Sequence, residues 1–368
     1  MKPHTIYSDA IEGKALAQFH DALSQPWAVK GALMPDAHAG YSLPIGAVVA
    51  TEGVVVPAWV GFDIGCGMLA VETSFEADAV RGKAKEIFDA IYRDVPVGFA
   101  HNAKAPQWVA GDALPRSKAL QGILDRKGMK DCHSLGGGNH FAEVGEDERG
   151  RVWIVIHSGS RNLGHTVATH YMKLAAGDGK AREGHYALNV DSESGRDYIK
   201  DLDFCLAYAL ENRLGMVKRI EAVARKQVCK GGAIWETLIN RNHNHAEAKD
   251  GLWIHRKGAT HAEEGMDGVI PGNMRDGSFI VRGKGNPEAL CSSSHGAGRV
   301  MGRKAAKERL DMATFRKEME DRGIKARVGA ETLDESAGAY KDIFEVMAMQ
   351  RDLVDVVHHV KPIINIKG

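Results

Sequence analysis

The sequence has few cysteines, no net excess of charge and no long apolar run. Its five cysteines, an odd number spread widely over 368 residues, argue against a disulfide framework and favour a reducing compartment. The 48 basic residues balance 48 acidic ones, so any nucleic-acid surface must be local. No segment is apolar enough to cross a bilayer, and the N-terminal residues are polar rather than signal-like. We therefore predict a cytoplasmic protein without a membrane segment.

The arrangement of apolar residues predicts the fold class. Residues 34–73 form short apolar runs broken by glycine and proline, as buried strands joined by tight turns do. Helical spacing follows over 77–94 and, at greatest length, over 201–230, where a break is expected near Gly215. Strands and helices do not alternate regularly, and no repeat or linker divides the chain. We therefore predict one α+β domain over residues 1–368.

The C-terminal part predicts three further elements. A basic helix is expected over 300–310, a final helix over 340–357 and a short strand over 362–368. The glycine-rich stretch 175–184 is predicted to be a mobile loop.

Two glycine-rich segments carry polar residues of metal-ligand type. In the first, Asp63 and Cys66 follow a buried-strand pattern, and a carboxylate and a thiolate can bind one cation or two. In the second, three glycines lead into Asn139 and His140, with Glu143 three residues further on, and glycine-rich backbone suits a phosphate. A structural cysteine and an asparagine-capped turn would leave the same patterns.

Imidazoles occur in three other segments. A strand pattern ends at His157 and continues into Ser-Gly-Ser and Arg161, which could cradle an anion. His243 and His245 alternate with asparagines that could orient either ring, and spacing does not decide between the two. Small residues flank His295 on both sides, which leaves its ring accessible, although a solvated basic helix would explain the lysines and arginines after it.

These residue types define a chemistry before any family is considered. One thiolate, one carboxylate and several imidazoles suit Mn²⁺, Zn²⁺, Fe²⁺ or Co²⁺ better than Mg²⁺. The phosphate-friendly loops favour a phosphorylated substrate. The residues therefore predict metal-dependent phosphoryl chemistry.

The ordered set of motifs resembles the RtcB family of 3′-phosphate RNA ligases, which act in tRNA splicing and RNA repair. The resemblance runs from Met34 to Gly368. The matching segments are MPDAHAGYSLPIGAV, GFDIGCGM, LGGGNHFAEV, WIVIHSGSRN, NHNHAE, HRKGA, VIPGNM, FIVRGKGNPE, CSSSHGAGRVM, AGAYKDI and INIKG.

The resemblance implies mixed and antiparallel sheets around a central metal-binding cleft, two Mn²⁺ ions per site and GTP as cofactor. Cys66 would bridge the two ions, and the implied metal ligands are Asp63, Cys66, His140, His157 and His243. His295 would accept GMP. The implied nucleotide pocket comprises Asn139, Phe141, Glu143, Gly296, Ala297, Tyr340 and Lys367. Arg161 and Arg299 would contact RNA phosphates, and Asp36 and His38 could assist proton transfer or be simply a turn residue and a packed ring.

The implied reaction joins RNA ends with 2′,3′-cyclic phosphate or 3′-phosphate to 5′-hydroxyl ends through a histidine–GMP intermediate. A metal-dependent RNA end-processing phosphohydrolase or nucleotidyltransferase that does not seal strands is the main alternative. An inactive RNA-binding relative is a second, but an idle site has no reason to bury so many polar groups. The brief segment between Ala176 and Asp201 departs from the family pattern and leaves open the RNA substrate and the need for an activating protein partner.

Overall fold

The computed structural model describes residues 2–127 and 129–368. The strands are β1 (His4–Ile6), β2 (Ala28–His38), β3 (Ile45–Thr51), β4 (Val54–Val55), β5 (Gly67–Glu76), β6 (Phe141–Glu146), β7 (Arg151–Ser158), β8 (Leu188–Asn189), β9 (Ile239–Asn242), β10 (Asn244–Lys249), β11 (Leu252–Lys257), β12 (Ala259–His261), β13 (Asp267–Pro271), β14 (Ser278–Gly283), β15 (Ser292–Ser294), β16 (Lys325–Ala326) and β17 (Val354–Lys367). The helices are α1 (Gly13–Ser24), α2 (Pro57–Val60), α3 (Ala77–Gly82), α4 (Ala84–Asp94), α5 (Val109–Asp112), α6 (Lys118–Lys127), α7 (Arg161–Ala176), α8 (Glu193–Val228), α9 (Arg303–Arg309), α10 (Met312–Asp321) and α11 (Ile343–Met349). Short 3₁₀ turns cover Trp235–Thr237, Pro287–Ala289, Leu333–Glu335 and Ala337–Ala339.

Two large sheets organise these elements. One has the order β13-β14-β17-β6-β7-β5-β9, with β16 paired in parallel to β17, and its other pairs are antiparallel. The other has the order β1-β2-β3-β11-β10, in which only β1 and β2 are parallel. The predicted α+β class with mixed and antiparallel sheets is confirmed.

The middle of the larger sheet is buried on both faces. Along β5, Leu69 and Val71 pack with α4 and α8, whereas Met68 and Ala70 belong to a core on the opposite face, as the two-residue period of a strand requires. Burial of each large aliphatic side chain contributes about 1.5–3 kcal/mol. The central strands of the larger sheet are therefore held between two apolar layers.

Helix α8 continues through Gly215, so the predicted break is wrong. A Cβ atom at this glycine would lie 2.0 Å from Cδ2 of His133, which shows that the residue serves close packing. The helix begins at Ser192, whose hydroxyl accepts a hydrogen bond from the backbone N–H of Gly195 at 3.0 Å. It ends at Cys229, which has a left-handed φ of 65°.

The predicted C-terminal elements need correction. The final helix covers only Ile343–Met349, and the chain enters β17 at Val354, so the expectation of a helix over 340–357 is wrong in its second half. The β-branched residues of VDVVHHV favour a strand, and β14 and β6 supply its hydrogen-bonding partners. The basic helix begins at Arg303 rather than at residue 300, and the 77–94 helix is divided at Lys83. No helix among the described residues has the length and apolar character needed to cross a bilayer.

Candidate metal centre and adjoining cavity

Strand register brings the predicted metal ligands to one edge of the larger sheet. Cys66 immediately precedes β5, His140 immediately precedes β6, and His157 lies near the end of β7. His157 is paired with Met68 of β5 and with Phe141 of β6. Gly67 of β5 is paired with Asn242, so that the end of β9 places His243 beside the same edge.

The five donor atoms converge at short distances. The Cys66 thiol sulfur lies 3.4 Å from Nε2 of His140 and 3.3 Å from Nε2 of His157. Nε2 of His157 lies 3.2 Å from Nε2 of His243, and Nε2 of His140 lies 3.0 Å from Oδ2 of Asp63. Ligand atoms around one tetrahedral ion, with bonds of about 2.0–2.3 Å, are roughly 3.3–3.8 Å apart. The spacing and the donor types therefore fit divalent ions, and His245 faces away to a different cluster.

The ionisation of the Cys66 thiol depends on whether a cation is bound beside it. Burial raises the pKa of the Cys66 thiol well above its ordinary value, and the Asp63 carboxylate raises it further. Burial also lowers the pKa of His157 and His243 far below the usual range, which keeps both rings neutral. Burial acts to raise the pKa of Asp63, but the hydrogen bond and charge of His140 outweigh it, and that pKa is lowered. A bound metal ion would supply the charge that lets the thiol ionise.

The ring of His140 is oriented for ligation. Its Nδ1 donates to the carbonyl oxygen of Leu135 at 2.9 Å, which turns Nε2 toward Cys66 and Asp63, where it could bind an ion in place of its proton.

His295 follows β15 and is held by a carboxylate from β2. Its Nδ1 donates to Oδ2 of Asp36 at 2.7 Å, and the backbone N–H groups of His295 and Gly296 donate to the same oxygen at 3.2 Å each. The ring centroid of His295 lies 4.8 Å from that of His243. Since Asp36 fixes the proton on Nδ1, Nε2 is the ring nitrogen with a lone pair, and Asp36 is a positioning residue. Nδ1 of His38 donates to the backbone carbonyl oxygen of Asp36 at 3.0 Å.

A cavity of about 310 Å³ adjoins His295 and His157. Most of the residues predicted for the nucleotide line it, namely Asn139, Phe141, Gly296, Ala297, Tyr340 and Lys367. Glu143 lies one layer behind the wall, where its carboxylate accepts from the Asn365 amide at 3.2 Å and from the Ser278 hydroxyl at 3.3 Å. Burial raises the pKa of Glu143 to about 8.

Glu335 was missed by the sequence reasoning, although it lines the same cavity. Its carboxylate accepts hydrogen bonds from Lys367, from the Tyr340 hydroxyl at 2.7 Å and from Arg303 at 2.5 Å. Burial acts to raise the pKa of Glu335, but the charges of Lys367 and Arg303 outweigh it and lower the pKa to about 2. Only the adjacent acids of the LDES segment, shortly before Tyr340, could have pointed to it.

The two predicted RNA-contacting arginines lie on different walls. Arg299 lines the 310 Å³ cavity, where it donates to Glu335 at 3.2 Å and its guanidinium carbon lies 5.0 Å from the Tyr340 ring centroid. Arg161 lines a second cavity of about 700 Å³, together with Asp63 and the exposed ring of Phe99. The first cavity therefore reaches the metal-ligand cluster at His157, and the second reaches it at Asp63.

This geometry defines a protein with a candidate metal centre beside a cavity that is lined by charged and aromatic side chains. The family model described as tRNA-splicing ligase RtcB matches residues 18–117 and 113–368. The RNA-splicing ligase RtcB of Escherichia coli (strain K12) is 34% identical, with 97% of this chain and 95% of that protein covered. The tRNA-splicing ligases RtcB of Thermococcus kodakarensis and Pyrobaculum aerophilum are 28% and 29% identical, each with 91% of this chain and 87% of the relative covered. The chain belongs to the RtcB family, which confirms the resemblance seen in its motifs.

Proposed function

We propose that the protein is a GTP- and Mn²⁺-dependent RNA ligase. It would join RNA ends that carry 2′,3′-cyclic phosphate or 3′-phosphate to RNA ends that carry 5′-hydroxyl. The observation that carries this proposal is the position of His295, which Asp36 orients beside the converging metal ligands at the wall of a cavity lined by cationic side chains. The names of the relatives support RNA as the substrate.

Cys66 would help to hold both of two Mn²⁺ ions. Asp63 and His140 would complete one site, and His157 and His243 the other. When bound, these ions would offset negative charge on the reacting phosphate oxygens and lower the pKa of a hydroxyl or water.

His295 would act as the nucleophile. Its Nε2 would attack the α-phosphorus of GTP, form a phosphoramidate bond to GMP and release pyrophosphate. Water would open a 2′,3′-cyclic end to a 3′-phosphate, whose oxygen would take GMP from His295 and free the ring. The 5′-hydroxyl oxygen of the second RNA would then attack the 3′-phosphorus, and GMP would leave as the phosphodiester forms.

The cavity lining supports nucleotide binding. Lys367, Arg299 and Arg303 bring three cationic groups to its wall, and Tyr340 and Phe141 offer aromatic surface for a base. Glu143 would act through Asn365, which its carboxylate holds in the cavity wall. We place the RNA end in the second cavity, where Arg161 could contact a phosphate. All five cysteines are free, which supports the proposed cytoplasmic location.

Labelled RNA halves that end in 2′,3′-cyclic phosphate and 5′-hydroxyl test the proposal when mixed with protein, GTP and Mn²⁺. The expected result is a sealed strand that requires both GTP and Mn²⁺, with a protein–guanylate adduct visible by intact mass. Phosphate release without GTP and without sealing would replace the ligase by the end-processing alternative. A single turnover by pure protein would identify the need for an activating protein partner.

A further inference from the structure

Two adjacent polar residues in the middle of α8, Asn212 and Arg213, are fully buried against the sheet edge that carries the metal ligands. Neither belongs to the predicted ligand set, and neither lines the cavity beside His295. Burying a guanidinium and an amide is costly unless their hydrogen bonds are satisfied. Their partners therefore show what this part of α8 is built to hold.

Arg213 joins three segments of the candidate metal centre. Its Nη1 donates to the carbonyl oxygens of Gly65 at 2.9 Å and Ser158 at 2.7 Å. Its Nη2 donates to the Asn242 side-chain oxygen at 2.8 Å, and its Nε donates to that of Asn240 at 2.9 Å. Gly65, Ser158 and Asn242 are the immediate neighbours of Cys66, His157 and His243. One rigid guanidinium fork thus holds all three segments that would bind one ion.

Asn212 reaches the remaining imidazole through a short chain of hydrogen bonds. Its Oδ1 accepts from the backbone N–H of Ser134 at 2.8 Å, and its Nδ2 donates to the Ser158 hydroxyl at 3.1 Å. That hydroxyl donates to the carbonyl oxygen of Leu135 at 2.9 Å, and the same carbonyl accepts from Nδ1 of His140. The orientation of His140 is therefore linked to Asn212.

We infer that Asn212 and Arg213 are positioning residues, a clamp that sets the spacing of the metal ligands and above all of Cys66, His157 and His243. The inference rests on the proposed two-ion centre. Arg213 contacts the neighbours of these three ligands. Its loss should therefore weaken binding of the ion that they hold more than binding of the ion between Asp63 and His140. Substitution of residues that orient metal ligands costs about 10–100-fold in metal affinity, and we expect a loss of that size for the ion held by these three ligands.

Co²⁺ titration of the metal-free protein tests the clamp, with the thiolate-to-cobalt absorption band and the visible ligand-field bands as readouts. Wild type should bind two ions. Arg213→Met should bind the ion of Cys66, His157 and His243 with 10–100-fold lower affinity and with altered absorption bands. Arg213→Lys, which keeps the charge but not the planar fork, should also fall short of wild type. Arg225→Met, at an arginine that is 57% exposed on the same helix, should bind like wild type.

The outcomes separate the clamp from the function on which it rests. Two ions bound by Arg213→Met and Arg213→Lys with wild-type affinity and unchanged bands would overturn the clamp while the metal centre stands. An equal loss of both ions, together with a lower thermal stability of the metal-free variants, would also overturn it, because the role would then be general support of the fold. Failure of wild type itself to bind two ions would overturn the proposed centre and the clamp with it.

Discussion

Two of the clusters of histidines and acids among the described residues differ in what lies between the side chains. The first is the candidate metal centre around Cys66. The second is formed by two His-Ala-Glu segments, His245–Glu247 in β10 and His261–Glu263 at the end of β12, whose imidazoles stack with centroids 4.7 Å apart. In the second cluster Arg256 donates to Glu247 at 2.5 Å, and its Nη1 lies 3.3 Å from Nε2 of His245.

In the second cluster an arginine is thus paired directly with a carboxylate, whereas in the first Arg161 lies 3.4 Å from Nδ1 of His140, on the side of the ring away from the converging atoms. Lys249 donates to Glu263 at 2.9 Å and adds a second positive charge to the second cluster. Among the described residues, no lysine or arginine donates to the five converging atoms of the first cluster. Two sets of similar residue types thus have different chemistry: in one, carboxylates are paired with arginine and lysine, and in the other, metal-ligand atoms face one another at short distances.

The largest effect is expected from Cys66→Ala, which removes the sulfur that lies 3.3–3.4 Å from the ligand nitrogens of His140 and His157. Tight Mn²⁺ binding and guanylylation should both be lost, measured by metal analysis after dialysis and by intact mass. The metal-free variant should still fold, because the metal site stabilises the protein only when an ion is bound. Cys229→Ala, at an exposed thiol, is the matched control. Full metal content in Cys66→Ala would show that the first cluster is no more a metal site than the second.

His295→Ala should separate chemistry from metal binding. The variant should form no guanylate adduct and seal no RNA, because the accepting nitrogen is gone. Its Mn²⁺ content should equal that of wild type, since His295 is not among the five converging donors. Persistence of the adduct would assign the nucleophile to another residue.

Arg256→Met should remove the guanidinium from the second cluster and leave its imidazoles and carboxylates available to an added metal ion. Loss of the internal cation should destabilise the protein by about 2 kcal/mol, less than for a fully buried pair, because Glu247 is a third exposed. With Cys66→Ala in both proteins, so that the first cluster does not respond, added Zn²⁺ should raise the melting temperature of Arg256→Met more than that of the protein that keeps Arg256. An equal response of the two proteins to Zn²⁺ would show that Arg256 does not stand in for a metal ion.

The same contrast exists between two carboxylates of the cavity region. Glu143 has only neutral partners, and its pKa is raised to about 8, whereas Lys367 and Arg303 help to hold the pKa of Glu335 at about 2. A folded-state pKa above the unfolded one makes Glu143 stabilising at low pH, and that contribution is lost as the pH rises from about 4.5 to 8. The free energy of unfolding, measured by thermal unfolding between pH 5 and 8, should fall less steeply with pH in Glu143→Gln than in wild type. The two slopes should differ by at most about 1.4 kcal/mol per pH unit. Identical slopes would mean that Glu143 is ionised in the fold.

The smallest effect is expected from His261→Gln. The ring contacts Glu263 at 3.2 Å near the surface, and Lys249 already neutralises that carboxylate. The free energy of unfolding should change by less than about 0.5 kcal/mol, as judged by urea denaturation, with unchanged Mn²⁺ content. A loss of metal from this variant would contradict the division between the clusters.

The local sequence pattern predicts the helices and strands that have a clear hydrophobic period. It does not predict those that are determined by contacts with residues distant in the chain. The strands between residues 34 and 73 and the strand ending at His157 follow from their apolar runs. Gly215 predicts a helix break from local sequence alone, because nothing local reveals the His133 ring that packs against this glycine. The strand at Val354 was read as helix because its partners, β14 and β6, lie far away in sequence.

The ligand types were recognisable from the sequence, but their separation into two clusters was not. His243 and His245 looked equivalent, and only the strand pairing places one at the edge shared with Cys66 and the other opposite Arg256. Glu335 and Arg213 carried no motif of their own, because their importance arises from contacts with residues distant in the chain.

The pairing of Met68 and Phe141 with His157 has a consequence for how the chain matures. A slip of one residue between these strands would turn His157 to the opposite face of the sheet, where it could not meet Cys66. A chain whose sheet closed out of register would thus lack the convergent ligand set, and the proposed uptake of ions would report whether the sheet had assembled correctly.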